Sequence, residues 1–139
     1  MYRQQLTVLT GNTARDVGRV FSLLGEAGID VRAHCLVDNG EIHAKLRLIV
    51  AEPERAAAAL AAGKLTAVLN EVVVIEVEDR PGALGRILDA LAAVPVAVSY
   101  TYTAVSPRPG TAVMVFRFSD NALAEEALRQ QGIRTLSAA

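Results

Sequence analysis

The 139-residue chain repeats itself. Gly18-Arg19-Val20, followed by Leu24 and Val31, recurs as Gly85-Arg86-Ile87, Leu91 and Val98, each 67 positions further on. Leu46 and an Ala-rich segment ending at Leu60 recur as Met114 and a segment ending at Leu128 once one residue is inserted in the second copy. A chain built from one unit used twice must make a fold from about 70 residues, so self-similarity is weighed before any local motif. The repeat divides the chain into residues 1–70 and 71–139.

Within each copy the hydrophobic period switches in the same order. Gln4 to Thr10 reads as a strand, and so does Val72 to Glu78, which is nearly continuously β-branched through Val72, Val73, Val74 and Ile75. Val17, Val20, Phe21, Leu24 and Ala27 then fall at helical spacing, as do Leu84, Ile87, Leu88, Leu91 and Val94. Gly28 and Pro95 stop these helices, since neither favours continuation.

A hairpin follows each helix. Asn39-Gly40 is a two-residue turn signal because both central positions of a type I′ turn need positive φ. Pairing across it opposes Leu36 to His43, Cys35 to Ala44 and His34 to Lys45. Val31, Ala33, Cys35 and Val37 then share a core face with Ile42, Ala44, Leu46, Leu48 and Val50, and Arg32, His34, His43, Lys45 and Arg47 share a polar one. In the second copy Ser106 to Gly110 forms a longer turn, with Ala112, Met114, Phe116 and Phe118 as the core face of the returning strand. Helices over 52–62 and 120–130 come next, and Lys64 to Leu69 and Ile133 to Leu136 close each copy. Each copy is therefore βαββαβ, a ferredoxin-like α+β arrangement of two helices on an antiparallel sheet. Units this small bury a limited fraction of their surface, so the two repeats are expected to pack side by side.

Composition narrows the function. Fourteen basic residues stand against fifteen acidic ones, and the copies carry +1 and −2, too balanced for electrostatic capture of nucleic acid or an anionic membrane. A single cysteine excludes an internal disulfide framework, and no tract long enough to span a membrane or signal-peptide pattern is present. The expectation is a soluble cytoplasmic protein.

The segment Glu78-Asp79-Arg80-Pro81-Gly82-Ala83-Leu84-Gly85-Arg86-Ile87-Leu88, after a β-branched strand, resembles the opening of an ACT domain. The tandem layout, the Lys45–Val50 strand leading into Glu52-Pro53-Glu54-Arg55, and Tyr100 and Tyr102 extend the resemblance to nearly the whole chain. It is similar to small stand-alone proteins made of two ACT domains. The resemblance implies a non-catalytic regulatory or sensing protein, without cofactor or metal. Its ligand would be a small molecule, typically an amino acid, bound where adjacent ACT domains meet. It further implies a homodimer or other homo-oligomer, with a metabolic enzyme or regulator as the partner that reads it allosterically. Two alternatives stay open: an assembly module that docks onto a biosynthetic enzyme without binding a metabolite, and a small metabolic enzyme.

The same loop is a sensible site on physical grounds. A helix N-terminus presents orphan N–H groups and about half a positive charge, so Gly82, Ala83 and Leu84 can hold an α-carboxylate. Asp79 can pair with an α-ammonium and Arg80 can add a carboxylate fork. The plainer reading is a helix start in which Pro81 occupies the first turn and Gly82 relaxes it. In the first copy Gly11-Asn12-Thr13-Ala14-Arg15-Asp16-Val17 aligns with Glu78 to Leu84, so Ala14 and Arg15 replace the Pro-Gly pair. Asn12 matches Asp79 and can accept from an ammonium; Thr13 contributes to the site or caps the helix.

Other constellations carry less. His34 and His43 share the polar face diagonally, but no third metal ligand is evident and Cys35 points to the opposite face. Cys35 reads as a small buried apolar residue. Phe116 and Phe118 alternate as base-stacking rings do on RNA-binding sheets, yet their parity turns them toward the helices. The same parity puts the bodies of Tyr100 and Tyr102 toward the core with polar tips, the alternative being that they wall a ligand site. Asp120 reads as an N-cap. No nucleophile elbow, phosphate loop or zinc-binding helix occurs.

Overall fold

The computed structural model of the chain describes residues 4–136. It divides into two compact units, Gln4–Asn70 and a second beginning at Glu71. The first runs β1 (Gln4–Thr10), α1 (Ala14–Glu26), β2 (Val31–Val37), β3 (Ala44–Val50), α2 (Pro53–Ala62) and β4 (Thr66–Glu71). Its sheet has the order β2-β3-β1-β4, so β1 and β3 occupy the centre. They pair antiparallel with Leu6 opposite Leu48 and Val8 opposite Leu46, four side chains with no exposure. Onto that face α1 brings Val20 and Leu24, and α2 brings Ala56 and Leu60. Burying a side chain of this size contributes about 1.5 to 3 kcal/mol, so this face is what holds the unit together.

The second unit runs β5 (Val73–Glu78), α3 (Ala83–Leu91), β6 (Val98–Ala104), β7 (Thr111–Phe118) and α4 (Asn121–Gln130). Its sheet order β5-β7-β6 repeats the first unit's β1-β3-β2. The expected closing strand over Ile133–Leu136 is reduced to a bridge between Thr135 and Ile75 and a bond from the Leu136 amide to the Val74 carbonyl. Phe116 and Phe118 lie in the core with parallel rings 5.2 Å apart, against Ile87 and Leu91 of α3 and Leu128 of α4. They face the helices, as their parity predicts.

The expected register of the first hairpin is wrong by three residues. Leu36 pairs with Leu46, Cys35 with Arg47 and His34 with Leu48, leaving residues 38–43 as a loop. Asp38 is the reason: its carboxylate accepts the Gly40 amide at 3.2 Å, forming a local turn that competes with strand pairing. Ile42 is left 93% exposed.

A bulge also reverses the alternation along β2. Val31 pairs with Val50, but Ala33 pairs with Ile49, so Arg32 is an extra residue. Val31 therefore packs on the helix-side core, and beyond the bulge His34 takes that side, edge-on to Phe21 with ring centroids 5.7 Å apart. His34 and His43 thus share no polar strand face, and Cys35 lies opposite Arg47, away from the helices. The second unit has the same bulge 67 positions on, between Val98 and Tyr100. Tyr100 and Tyr102 consequently pair with Arg117 and Val115 on the face away from the helices, their rings stacked at 6.3 Å, and not toward the core. Leu84 and Leu88, expected in the core at helical spacing, are each 41% exposed because α3 buries Ile87 and Leu91 instead.

Candidate functional site

The junction between β5 and α3 is built from backbone. The Asp79 amide donates to the Gly110 carbonyl at 2.9 Å, which ties the junction to the β6–β7 turn. The Arg80 amide then donates to the Glu78 carbonyl at 3.0 Å, ending the strand. Pro81 lies before the helix and not in its first turn. Gly82 is the N-cap with φ of 87°, a left-handed conformation that side chains other than glycine's enter at a penalty. It makes no side-chain capping bond, and a Cβ added there would meet nothing within 4 Å.

Two of the three predicted amide donors lack a protein acceptor among the described residues. The Ala83 amide donates to the Arg80 carbonyl at 3.2 Å, while those of Gly82 and Leu84 do not bond within the protein. Asp79, three residues before Gly82 in the chain, is exposed. Arg80 reaches back to Glu78, with Nε 3.1 Å from the carboxylate. Asp79, Arg80, Gly82, Ala83 and Leu84 thus follow one another through the turn that leads into α3, and of these Arg80 and Ala83 line the cleft beside it.

The equivalent junction of the first unit is capped by a side chain. Thr13 is the N-cap, and its hydroxyl accepts the Asp16 amide at 3.1 Å. Asn12 donates its side-chain amide to Asp38 at 2.8 Å, and that bond, with the one from Gly40, holds the Asp38 carboxyl below its ordinary pKa. Asp16 folds its carboxylate against Gly11 so closely that a Cβ there would collide with it. An acid in the first helical turn is stabilised by the helix dipole. Asn12 and Thr13 are thus engaged internally, where sequence reasoning brings them toward a ligand.

Beside each junction lies a cleft between the end of the first strand, the first helix and the closing segment. In the first unit it measures about 250 Å³ and is lined by Gly11, Asp16, Arg19, Lys64 and Thr66. In the second it measures about 390 Å³, with Arg80, Ala83, Arg86 and Arg134 in its wall. Arg86 and Arg134 were not singled out from the sequence; the visible signal is the repeat, which aligns Arg86 with Arg19. No group of three or more metal-ligating side chains occurs among the described residues.

Two βαββαβ units, each with a loop leading its first strand into its first helix, are the layout of a known family, and the model of the ACT domain pair matches residues 1–136. The chain belongs to the ACT domain pair family. This ACT pair is similar in structure to protein BT0572 from Bacteroides thetaiotaomicron, 28% identical with a TM-score of 0.88, the match covering 96% of this chain and 91% of that one. The regulatory subunit of aspartate kinase from Thermus thermophilus, in its ligand-free form, aligns at 15% identity and a TM-score of 0.65 over 94% of this chain and 93% of that one. The same subunit from Thermus flavus gives 16% and 0.63 over 93% and 90%. At those identities the two kinase subunits share the fold with this ACT pair. No curated protein sequence matches it. Among the described residues no helix of the ACT pair is long and apolar enough to cross a membrane.

Proposed function

We propose that this ACT pair is a regulatory protein that senses a free amino acid, and that the β5–α3 junction of its second unit is the binding site. The observation that carries the reading is the uncapped start of α3, whose Gly82 and Leu84 amides have no acceptor among the described residues, with Asp79 exposed three residues before Gly82 in the same turn. An α-carboxylate satisfies those donors, and an α-ammonium on the same carbon meets the aspartate. Arg80 adds a second donor on the cleft side, and Ala83 keeps the approach free of a bulky side chain. Membership of the ACT family supports a regulatory role over catalysis. Asn12 and Thr13 serve the first copy as structure, so one ligand binds per chain.

Regulation requires that the ligand favour one arrangement of the protein over another, because equal affinity for both shifts nothing. The output is a change in homo-oligomer state or in docking on a metabolic enzyme or regulator. A thermal-shift screen against the standard amino acids tests the binding step. A ligand at 100 times its Kd adds about 2.7 kcal/mol, enough to move the transition by several degrees. One amino acid should shift the native chain and leave Asp79→Ala unmoved. If none shifts it at millimolar concentration, the sensing role fails and an assembly role takes its place.

A further inference from the structure

The cleft beside α3 adjoins the junction and shares Arg80 and Ala83 with it, while Asp79, Gly82 and Leu84 do not line it. Its wall contains two acids and three arginines, and the acids are already matched. Glu76, whose side chain is only 6% exposed, pairs with Arg108, and Glu78 pairs with Arg80. Arg86 and Arg134 form no ion pair or side-chain hydrogen bond with any described residue, so two guanidinium groups on one cleft lack a counter-charge.

The first unit shows what its counterpart does with this space. There the carboxylate of Asp16 lines the cleft together with Arg19 and Lys64. Arg19 is further held by the Gly63 carbonyl at 2.7 Å. In the second unit Ala83 replaces Asp16, Arg86 is the copy of Arg19, and Arg134 adds a cation from the closing segment. The acid at the helix start has gone, and Arg86 and Arg134 are left without the ion pair that Glu76 and Glu78 have already formed elsewhere.

We infer that the cleft of the second unit binds a small dianion, a dicarboxylate or a phosphate monoester, held by Arg86 and Arg134 where the first unit carries its own Asp16. Two unmatched cations select a doubly charged ligand over a monoanion, and the guanidinium fork suits carboxylate and phosphate oxygens equally. A volume of about 390 Å³ admits a ligand of that size. Its two anchoring side chains, Arg86 and Arg134, are not those of the amino-acid reading, so the Arg86 and Arg134 variants test it independently.

The experiment is calorimetric titration of the full chain with succinate, inorganic phosphate and acetate at low ionic strength, on the native protein and on Arg86→Ala, Arg134→Ala and Ala83→Asp. Succinate or phosphate should bind more tightly than acetate, and each arginine variant should weaken that binding about tenfold or more. Succinate binding without phosphate binding identifies a dicarboxylate site, and the reverse a phosphate site. Ala83→Asp rebuilds the internal carboxylate and should abolish dianion binding while the fold, followed by circular dichroism, is kept. The inference is overturned if acetate binds as well as the dianions, or if Ala83→Asp and the arginine variants, all folded, bind them like the native chain.

Discussion

The two strand-to-helix junctions descend from one repeated segment, yet one helix start is capped by a side chain and the other is not. In the first, Thr13 caps α1 and Asp16 lays a carboxylate against Gly11. In the second, a left-handed Gly82 and a methyl side chain at Ala83 offer no such atoms. The scaffold beneath them is shared, down to a bulge in the strand after the helix. The difference therefore lies in a few side chains that either neutralise the helix start from within or leave it to an external group.

The largest effects should come from matched core substitutions. Leu48→Ala and Phe116→Ala remove fully buried side chains at equivalent positions, and each should lower stability by about 3 to 5 kcal/mol in chemical denaturation. If only one does, the two cores are not energetically equivalent. Next come the caps. Gly82→Ala forces a side chain into a φ of 87° and should cost about 1 to 2 kcal/mol, although no atom stands in its way. Thr13→Ala removes a capping bond and should cost about 1 kcal/mol without affecting ligand binding by the second unit. Should Thr13→Ala also abolish an amino-acid shift, the division of labour between the junctions is wrong.

A smaller loss, about 0.3 to 1 kcal/mol, is expected for Asp16→Ala, which converts the first junction toward the second. Titration of that variant with succinate would show whether the first cleft then gains anion binding. The smallest effect concerns Asp38. Its folded pKa lies below the ordinary 3.8, so its bonds to Asn12 and Gly40 contribute stability above that pH, lost as the pH falls through the folded value. Asn12→Ala should flatten this part of the acid-unfolding profile, and an unchanged profile would show that the bond does not persist in solution.

Much of the architecture was legible because it depends on local pattern. Helical spacing marked Val20 and Leu24, and strict alternation marked Met114, Phe116 and Phe118. The repeat also made Thr13 readable as a cap, since a threonine three residues before an acid at a helix start is a local motif. Reading failed on β2 and β6. Arg32 and Ser99 are the extra residues of the bulges, and nothing in their composition distinguishes them from ordinary strand positions. One extra residue inverts every side chain beyond it, which is why His34, Cys35, Tyr100 and Tyr102 took the opposite faces.

The chain's pattern of apolar residues, turns and duplication was enough to determine two βαββαβ units, the order of their elements and the position of the strand-to-helix junctions. These follow from short-range periodicity and backbone preference, which neighbouring residues express without distant partners. Only the tertiary structure decided the hairpin register, the faces beyond the bulges, and the meeting of Arg86 with Arg134 on one cleft. Those depend on segments far apart in the chain, whose approach is set by packing against a shared core.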